Sequence, residues 1–591
     1  MGSTEPVAGR GRTGSTLRWR RIAFAAAVTA TSVALLSLMA ATLFPAGPDA
    51  LGVAMLLLFA LTLPWTATGF WNAAAGYALM SFARDPEGAV TPHLRDAGND
   101  GPIANRTALL VCIRNEDTAR LSRNLAWMLE GLAATGEARW FHVYMLSDSD
   151  RPAIAEAEAR VAAALADRFG ASLGVTYRRR EHNTGYKAGN IRDFCERWGG
   201  QYRFAIVLDA DSVMAPQALL RLVRVMQAHP RIGILQTLIT GLPSASAFAR
   251  VFQFGMRLGM RSYTLGAAAW QGDCGPYWGH NAILRLEPFI EHCALPVLPG
   301  EPPLGGHVLS HDQLEAVLMR RAGYEVRVLP DEEGSWEENP PDLLEFMRRD
   351  LRWCQGNMQY FHFLGMSELH PVSRFQLVLA IAMYLGSPAW LAFMLLGLIR
   401  GPVFHVELGI VLFFLVLAMT FAPKLATLAD VLARRDLRRA YGGAARIALG
   451  AALEIVFSML LAPVIAVAVT VFVLRLPFGR RGGWAEQRRD VQHLTLAAAA
   501  RKLWPQTLAG AALVAWFWHA APGLIWYWLP IFAGLVGSVP FAMVTAHPAV
   551  GRALAARGIC RIPEESSPPL AAPAPARLLA PYPAASLKAA E

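Results

Sequence analysis

The sequence predicts an α-helical transmembrane bundle of about eight segments, into which a cytoplasmic α/β domain is inserted. Of the 591 residues, 54% are hydrophobic and only 17% are charged, whereas soluble domains carry about 25% charged residues. Long apolar runs lie near both ends of the chain. Between them, residues 86–370 alternate short apolar runs with helical patterns, which is typical of a mostly parallel sheet with crossover helices.

The N-terminal part is predicted to hold a polar cytoplasmic tail, residues 1–21, and two transmembrane helices within residues 22–81. The first apolar run, residues 22–44, is longer than the roughly 7–15-residue core of a signal peptide, and a second run begins at Leu51. Pro45-Ala-Gly-Pro48 is predicted to form a tight outer turn between them. Both flanks of the pair are then cytoplasmic.

The inserted domain is predicted to alternate strands with helices. The predicted strands are residues 108–113, 141–146, 175–177 and 204–208, and the predicted helices end near residue 133 or cover residues 153–169 and 215–228. Two further stretches, near residues 245–269 and 343–363, mix aromatic and aliphatic residues with arginines. Each is either an amphipathic helix on the membrane surface or an ordinary helix packed on the sheet.

Residues 375–545 are predicted to form a C-terminal transmembrane region. Spans are expected near residues 375–399, 404–425, 508–521 and 524–543. Residues 444–474 have arginine-rich flanks on both sides, and such flanks favour the cytoplasm. Two short helices broken at Pro463 would keep both flanks and both termini cytoplasmic; a single long span is the alternative. Residues 563–591, rich in Ala and Pro, are predicted to be disordered.

The net charge of +10 does not indicate a nucleic-acid-binding protein. The basic residues cluster beside apolar segments, as in residues 18–21, 434–439 and 480–489, and this is the distribution expected at the cytoplasmic ends of membrane helices. The six cysteines are scattered without a CxxC pair. They are interpreted as free thiols in a reducing compartment rather than as a disulfide or zinc framework.

Two carboxylates follow the strand predicted at residues 204–208. Asp209 and Asp211 lie where ligands gather in an open α/β sheet, and together they can hold a divalent cation that in turn binds a diphosphate. Asp148-x-Asp150 repeats the pattern after another strand. Lys187, in a basic and glycine-rich loop, is able to meet a phosphate; a solvated loop is the alternative.

Two later motifs allow both a structural and a chemical interpretation. Asp312 opens a predicted helix, so it is either its N-cap or a general base that takes a proton from a sugar hydroxyl. Arg352 and Trp353 suit a pyrophosphate contact beside a flat surface for a sugar ring. The alternative for that pair is an amphipathic helix with a buried Trp.

The full set of motifs runs through the chain in a fixed order: Asn115-Glu116, Asp148, Lys187-Ala-Gly-Asn190, Asp209-x-Asp211, Trp278-Gly-His-Asn281, Ser310-His-Asp312 and Arg352-Trp-x-Gln-Gly-Asn357. With membrane spans on both sides, this order resembles the processive family 2 inverting glycosyltransferases, which include cellulose and hyaluronan synthases. Within them it resembles most the branch that makes osmoregulated periplasmic glucans. The resemblance covers about residues 100–545.

The resemblance implies that residues 86–370 form a GT-A glycosyltransferase domain and gives each matched position a role. Asp312 would be the catalytic base, and Asp209 and Asp211 would bind Mg²⁺ or Mn²⁺. Residues 478–500 would form a gating-type loop over the nucleotide. The substrate-binding positions would be Glu116 and Asp148 on the uridine, Lys187 and Asp209 at the diphosphate, and Trp278, His280, Arg352, Trp353 and Trp484. Arg349 replaces the Gln that begins the family's Gln-x-x-Arg-Trp motif.

The activity implied is that of an inner-membrane hexosyltransferase that polymerises glucose from UDP-glucose into a β-1,2-linked glucan backbone and moves it to the periplasm. The implied partners are UDP-glucose, the growing glucan, inner-membrane lipid, acyl carrier protein and the periplasmic OpgG protein. One alternative is a synthase of another polysaccharide, of the cellulose or hyaluronan type. Another is a nucleotide-sugar-sensing transporter, although a sensor has no need of Asp312 beside Asp209 and Asp211.

Overall fold

The structure, a computed structural model, describes residues 10–93, 101–401, 403–479, 493–520, 522–566 and 568. Two long helices come first, α1 (Arg10–Leu43) and α2 (Ala50–Phe82). The Asp49 side chain accepts a hydrogen bond from the Gly52 backbone N–H and so caps α2. A short helix, α3 (Pro86–Val90), leads into the inserted domain. The predicted helix pair is therefore present, and α1 extends into the segment that was expected to be a tail.

Twelve strands build the described sheets. In chain order they are β1 (Thr107–Ile113), β2 (Phe141–Ser147), β3 (Gly174–Arg179), β4 (Phe204–Asp209), β5 (Val213–Met214), β6 (Ile232–Thr237), β7 (Thr240–Gly241), β8 (Ala282–Arg285), β9 (Val297–Leu298), β10 (Gly306–His307), β11 (Glu325–Leu329) and β12 (Ser335–Glu337). Seven of them form the main sheet in the order β11-β6-β8-β4-β1-β2-β3. All neighbours in it are parallel except β8, which is antiparallel to β4 and β6.

The four predicted strands lie within a few residues of β1 to β4, whereas β6, β8 and β11 were not predicted. Helices connect the strands as expected: α4 (Thr118–Ala134), α5 (Pro152–Phe169), α6 (Tyr186–Trp198), α7 (Pro216–Ala228), α8 (Ala247–Gln271), α9 (Leu286–His292), α10 (His311–Arg321) and α11 (Leu343–Met358). Successive side chains of a strand point to opposite faces. Leu110 accordingly joins one apolar cluster, while Leu109 and Val111 join the other.

The two stretches with an open interpretation are helices packed on other helices. Seventeen of the 25 residues of α8 are buried, and the helix packs against α2 so closely that a side chain at Gly266 would collide with the Asn72 backbone. Trp270 of α8 also donates to Asn72 Oδ1 at 2.9 Å. Residues 245–269 thus form a helix packed mainly on α2, one of the helices apolar enough to cross a membrane, and its position at the membrane surface stays a prediction.

The helices that follow are α12 (Pro371–Arg400), α13 (Val406–Ala433), α14 (Arg435–Ala440), α15 (Ala444–Arg475), α16 (Leu496–Ala520), α17 (Ile525–Val536), α18 (Ser538–Ala546) and α19 (Pro548–Ala556). Among the described residues, five helices are long and apolar enough to cross a membrane: α1, α2, α12, α13 and α15. The pair α17 and α18, bent by 62°, gives up to six if it counts as one span. The described residues therefore hold five or six candidate spans, against an expectation of about eight.

The main cause of that difference is α15, which is one continuous helix through Pro463 rather than two helices broken there. Gly534 of α17 lies against the Leu460 carbonyl and the Pro463 ring, where no larger residue would fit. A proline is tolerated inside a membrane helix where neighbouring helices support the freed backbone. The predicted span at residues 508–521 belongs to α16, which begins at Leu496 and is not among the helices that are apolar enough.

Both ends of α15 lie against elements that border the sheet domain. Near its start, Ile447 joins an apolar cluster with Phe254 of α8. Near its end, Phe472 joins the cluster that contains Leu377, close to the first turns of α12. The described ends of this continuous helix thus both border elements of the sheet domain, while residues 480–489, its second basic flank, lie outside the described residues.

The chain returns from the last helices to the sheet domain. Glu565 pairs with the buried Arg250 of α8 at 3.0 Å, and Glu564 pairs with Arg257 of the same helix. Glu564 also accepts from Trp336 Nε1 of β12 at 3.3 Å. Because burying an unpaired charge is costly, these contacts order a segment that was predicted to be disordered from residue 563; most of the remaining tail lies outside the described residues.

Candidate active site

A cavity of about 690 Å³ opens where β1, β2 and β4 end. The carboxyl edge of a parallel sheet gathers the residues that follow its strands. Nine of the residues singled out in the sequence line this cavity: Glu116, Asp148, Lys187, Asp209, Asp211, Trp278, Asp312, Arg352 and Trp353. Residues separated by more than two hundred positions in the chain therefore share one site.

The ends of β1 and β2 are fastened to each other at one side of the cavity. Asn115 adopts a left-handed backbone conformation (φ 53°), its backbone N–H donates to Ser149 Oγ at 2.7 Å, and its side chain donates to Asp150 Oδ1 at 2.7 Å. The hydrogen bond from the Asn115 side chain, and to a smaller extent the one from Arg114, lowers the pKa of the exposed Asp150. The loop that carries Glu116 is thus fixed relative to Asp148.

Asp148 is buried and held by an arginine. Arg180 Nε and Nη2 donate to its two oxygens at 2.7 and 2.8 Å, the bidentate geometry that makes such pairs strong and directional. Arg180 also donates to the Tyr186 and Thr184 carbonyls. One guanidinium therefore fixes both the Asp148 carboxylate and the loop that leads into α6.

A buried carboxylate supports the same strand end from behind. Glu158 of α5 has no exposed surface and accepts from Ser147 Oγ at 2.6 Å, Ser149 Oγ at 2.5 Å and Tyr177 OH at 3.0 Å. Hydrogen bonds to an ionised group are stronger than neutral ones. Glu158 thus holds the two serines that flank Asp148.

The pair Asp209 and Asp211 lies at the end of β4, and Lys187 reaches it from α6. Lys187 Nζ contacts the Asp209 carboxylate and donates to the Gly279 carbonyl at 2.8 Å. Burial lowers the pKa of Lys187, but Asp209 offsets this and the net shift is upward. The ammonium is therefore held charged at the base of the cavity.

The two carboxylates suit a small divalent cation whose remaining coordination positions are filled by a bound ligand and water. Asp209 and Asp211 supply carboxylate oxygens, and no cluster of three or more His, Cys, Asp or Glu ligands occurs among the residues that the structure describes. Mg²⁺ is commonly bound by one or two carboxylates together with substrate phosphates and water. The Asp211 Oδ2 atom also accepts from the Glu338 backbone N–H at 3.3 Å, which orients it.

Asp312 is not the N-cap of α10; Ser310 occupies that position, and Asp312 lies in the first turn. No hydrogen bond or ion pair to the Asp312 carboxylate is found within the described part of the chain. A Cβ at Gly279 would stand 3.4 Å from the Asp312 Cβ, and Gly279 has a φ of +84° that also favours glycine. The carboxylate therefore faces the cavity unengaged, close to the loop that carries Trp278.

The residue before Asp312 forms a buried ion pair. His311 Nδ1 lies 2.8 Å from Glu315 Oε2, and both side chains are buried. Burial lowers the pKa of His311, but the Glu315 carboxylate raises it more, so the net direction is upward. The pair fixes the first turn of α10 from the protein side.

Helix α11 packs directly on this turn. Gly356 lies so close to Ser310 that a side chain there would collide with it, and Tyr360 OH donates to the Ser310 carbonyl at 2.9 Å. The close approach brings Arg352 and Trp353 to the wall of the cavity that Asp209 also lines. Trp353 remains 43% exposed, so its ring is available as a stacking surface rather than buried in a core.

Arg349 fills the position where the sequence departs from the family motif. Its guanidinium carbon stands 4.7 Å from the centroid of the Trp353 ring, one turn along the same helix, which is a cation–π arrangement. The substitution of Gln by Arg therefore adds a partner to one face of the indole.

One predicted site residue, His280, is described by the structure and is not part of the cavity wall. His280 lies behind the Asp209–Ser212 turn, where its ring contacts Ser212 and Glu337. Trp484 lies outside the described residues, as does most of the predicted gating-type loop.

The sequence did not single out Arg180, Glu158 or Arg349 as site residues. Glu158 had a detectable signal, because it falls on the buried stripe of α5 with Ala155, Ala162 and Leu165, where a carboxylate requires buried partners. Arg180 stands in a run of three arginines whose separate targets depend on the fold.

Comparisons with known proteins identify the domain that contains this cavity. The family model for glycosyl transferase family 2 matches residues 110–293, and the model for glycosyl transferase family group 2 matches residues 204–425. The two matches together run from β1 into α13 and include every described cavity residue from Cys112 to Trp353.

Curated relatives extend the similarity over most of the chain. Glucans biosynthesis glucosyltransferase H from Cupriavidus pinatubonensis is 38% identical over 548 residues, which is 88% of this chain and 63% of the relative. The protein of that name from Ralstonia nicotianae is 38% identical over 580 residues, 93% of this chain and 66% of the relative. The chain thus spans slightly less than two thirds of the length of these relatives.

Among solved structures, a mannosyltransferase from Pyrobaculum calidifontis in complex with GDP-Man and Mn²⁺ aligns with a TM-score of 0.36 and 15% identity, covering 61% of this chain and 99% of the other. The inserted α/β domain, the family models and the curated relatives lead to one assignment. The chain carries a glycosyltransferase family 2 domain over residues 110–425, inserted between membrane-type helices.

Proposed function

We propose that the protein is an inverting glucosyltransferase that polymerises glucose from UDP-glucose into the β-1,2-linked backbone of osmoregulated periplasmic glucans. The observation that carries the proposal is the shared cavity of Asp209 and Asp211, Asp312, and the Arg352–Trp353 pair. A binding protein for a nucleotide sugar would need the first pair alone. Glucose and the glucan product are supported by the names of the relatives at 37–38% identity.

In this proposal the nucleotide lies along the ends of β1, β2 and β4. Glu116 and Asp148 hold the uridine, with Asp148 oriented by Arg180. Lys187 donates to the diphosphate, and Asp209 and Asp211 hold Mg²⁺ or Mn²⁺. When bound, the cation offsets the charge that develops on the leaving diphosphate. Arg352 donates to the same diphosphate from α11.

The acceptor sugar stacks on Trp353, with its attacking hydroxyl directed at Asp312. Asp312 takes the hydroxyl proton while the oxygen attacks the anomeric carbon from the side opposite to the diphosphate. One displacement then gives inversion, and the proton resides on Asp312 until it passes to solvent. No hydrogen bond occupies its carboxylate among the described residues, so both of its oxygens can meet the acceptor hydroxyl in this proposal.

The membrane helices supply the route for the product in this proposal. The five apolar helices and the bent pair would anchor the protein in the inner membrane with the α/β domain and both termini in the cytoplasm. Arginine-rich segments beside α14 support that orientation. The glucan would leave the cavity past Trp353 and thread between the helices. Acyl carrier protein and the periplasmic OpgG protein remain proposed partners.

The test uses the full chain reconstituted in proteoliposomes with radiolabelled UDP-glucose, UDP-galactose or UDP-N-acetylglucosamine. Incorporation from UDP-glucose, loss of incorporation with EDTA and its recovery with Mg²⁺ or Mn²⁺ are expected. Methylation analysis should then give 2-linked glucose. A 4-linked product would indicate a cellulose-type synthase, and incorporation from the other donors alone would overturn the proposed substrate. UDP binding without incorporation would favour a sensor.

A further inference from the structure

His280 occupies a position behind the proposed cation site rather than beside the substrate. Its side chain is 13% exposed, and it is absent from the cavity wall, which Trp278 and Gly279 of the same motif do line. Its ring bridges two elements: Nδ1 lies 3.3 Å from Ser212 Oγ, and Nε2 lies 3.5 Å from Glu337 Oε2 of β12.

Ser212 closes the turn that carries both carboxylates. Its backbone N–H donates to the Asp209 carbonyl at 3.0 Å, and its Oγ accepts from the Asp209 backbone N–H at 2.9 Å. These two hydrogen bonds join the first and last residues of Asp209-Ala-Asp-Ser212. The directions of both carboxylates in the cavity therefore depend on where the Ser212 hydroxyl stands.

The donors and acceptors of these contacts can be assigned consistently. Glu337 favours the tautomer in which Nε2 carries the proton, because a carboxylate accepts and does not donate. Nδ1 is then the acceptor for the Ser212 hydroxyl, and the Ser212 oxygen is left to accept from Asp209. A carboxylate that orients a histidine, which in turn contacts a hydroxyl, also occurs in hydrolases. Ser212, however, is only 2% exposed and does not line the cavity, so it cannot reach a substrate.

β12 links this series of contacts to both carboxylates of the cation site. Its last residue, Glu337, contacts His280. The next residue, Glu338, donates its backbone N–H to Asp211 Oδ2 at 3.3 Å. The strand pairs with β5, which directly follows the Asp209–Ser212 turn. One short strand thus supports Asp211 directly and Asp209 through His280 and Ser212.

We propose that His280 is a positioning residue for the divalent cation, acting through Ser212 on the Asp209–Asp211 turn. The inference rests on the proposed cation and nucleotide site and goes beyond it, because it assigns to His280 the geometry of the carboxylates and not a contact with substrate. Groups that orient metal ligands typically contribute about 10–100-fold to metal affinity. A change near the lower end is expected here, since His280 acts through one intervening side chain.

The geometry provides a matched pair of substitutions. An Asn amide oxygen can take the place of Nδ1 and accept from Ser212, whereas a Gln amide reaches the position of Nε2 and can contact only Glu337. His280→Asn should therefore keep the turn, while His280→Gln and His280→Ala should loosen it. His142 is the control: it is a part-buried histidine of the same sheet, hydrogen-bonded to Thr176 and Tyr202, at the edge remote from Asp209.

The experiment measures Mn²⁺ binding by electron paramagnetic resonance on the full-length protein in detergent with UDP present. About tenfold weaker binding is expected for His280→Gln and His280→Ala, and wild-type binding for His280→Asn and His142→Ala. Unchanged binding by His280→Ala, or an equal loss in His142→Ala, would overturn the positioning role while the proposed function stands. Failure of the wild-type protein to bind Mn²⁺ with UDP would overturn the proposed cation site itself.

Discussion

The Arg349 guanidinium lies 4.7 Å from the centre of the Trp353 indole, one helical turn away on α11. The guanidinium thereby covers one side of the ring, while 43% of the residue remains exposed. A sugar can stack on the free side of a ring that is already oriented. In the proposed function, this is the ring on which the acceptor sugar stacks.

Replacing Arg349 with Gln or Met should lower polymer formation while UDP-glucose hydrolysis, with water as acceptor, stays close to wild type. The expected loss is about tenfold, the size of a cation–π contact of about 1–2 kcal/mol in a partly desolvated site. Arg349→Lys should retain part of the activity, because an ammonium can also lie over the ring. Equal losses of polymer and hydrolysis in all three variants would contradict an acceptor-side role.

Asp312→Asn should reduce glucosyl transfer by at least about 100-fold, the contribution typical of a general base, and leave UDP binding near wild type. Asn keeps the shape of the side chain but cannot hold the proton. Isothermal titration with UDP and a transfer assay separate the two effects. Asp167→Asn, at an exposed position on α5, is the control. Normal turnover by Asp312→Asn would exclude Asp312 as the base.

Glu158→Gln should raise the KM for the nucleotide sugar by several-fold with a smaller effect on kcat. A Gln amide group cannot accept three hydroxyl hydrogen bonds, so Ser147 and Ser149 lose part of their support and the Asp148 loop loosens. Glu156→Gln, exposed on the same helix, should behave as wild type. A change in kcat alone would argue against a role at the nucleotide end.

Asp350 lies beside Arg349 on α11, and its raised pKa should make the stability of the folded protein depend on pH. Burial raises its pKa to about 6, against the lowering effects of the hydrogen bond from Tyr384 and of Arg349, whereas an unfolded Asp has a pKa of about 3.9. Its stabilising contribution is therefore complete below about pH 4 and is lost as the pH rises through about 6.

Asp350→Asn removes that titration, so the variant should have a higher melting temperature than wild type above about pH 6, with the difference shrinking towards about pH 4. Thermal unfolding of the detergent-solubilised protein across this range measures it. Asp436→Asn, exposed on α14, should show no such trend. A pH-independent difference for Asp350→Asn would contradict the raised pKa.

The strands that carry the proposed nucleotide site were predictable because each is a buried apolar run followed at once by polar residues. The short β8 was not, since its four residues take their place between β4 and β6 through long-range pairing, including the Asn281 N–H donated to the Val207 carbonyl at 2.7 Å. Local patterns do not contain that information.

Motif spacing predicted which residues share the cavity but not how the neighbours behind them act. Arg180 and its two neighbours are equivalent in sequence, yet they donate to three different groups: Asp148, the Ser149 carbonyl and the Asn190 carbonyl. His280 lies two residues from Trp278 but faces the opposite side of the loop. The direction in which each side chain points depends on the backbone conformation of the folded site, as at Gly279. Residue types alone therefore do not predict it.

The contacts of the C-terminal segment limit which fragments of this protein can be expected to fold. A fragment limited to the α/β domain would contain α8 with Arg250 buried but without Glu565, and Arg257 without Glu564. It would also lack Arg21, whose Nη2 contacts Asp273 at 2.5 Å. Excision would thus leave the buried Arg250 without its acidic partner, and Arg257 and Asp273 would keep only Glu332 and Arg320, respectively. A soluble catalytic fragment would need those arginines replaced, and a fusion partner would have to follow Ser566.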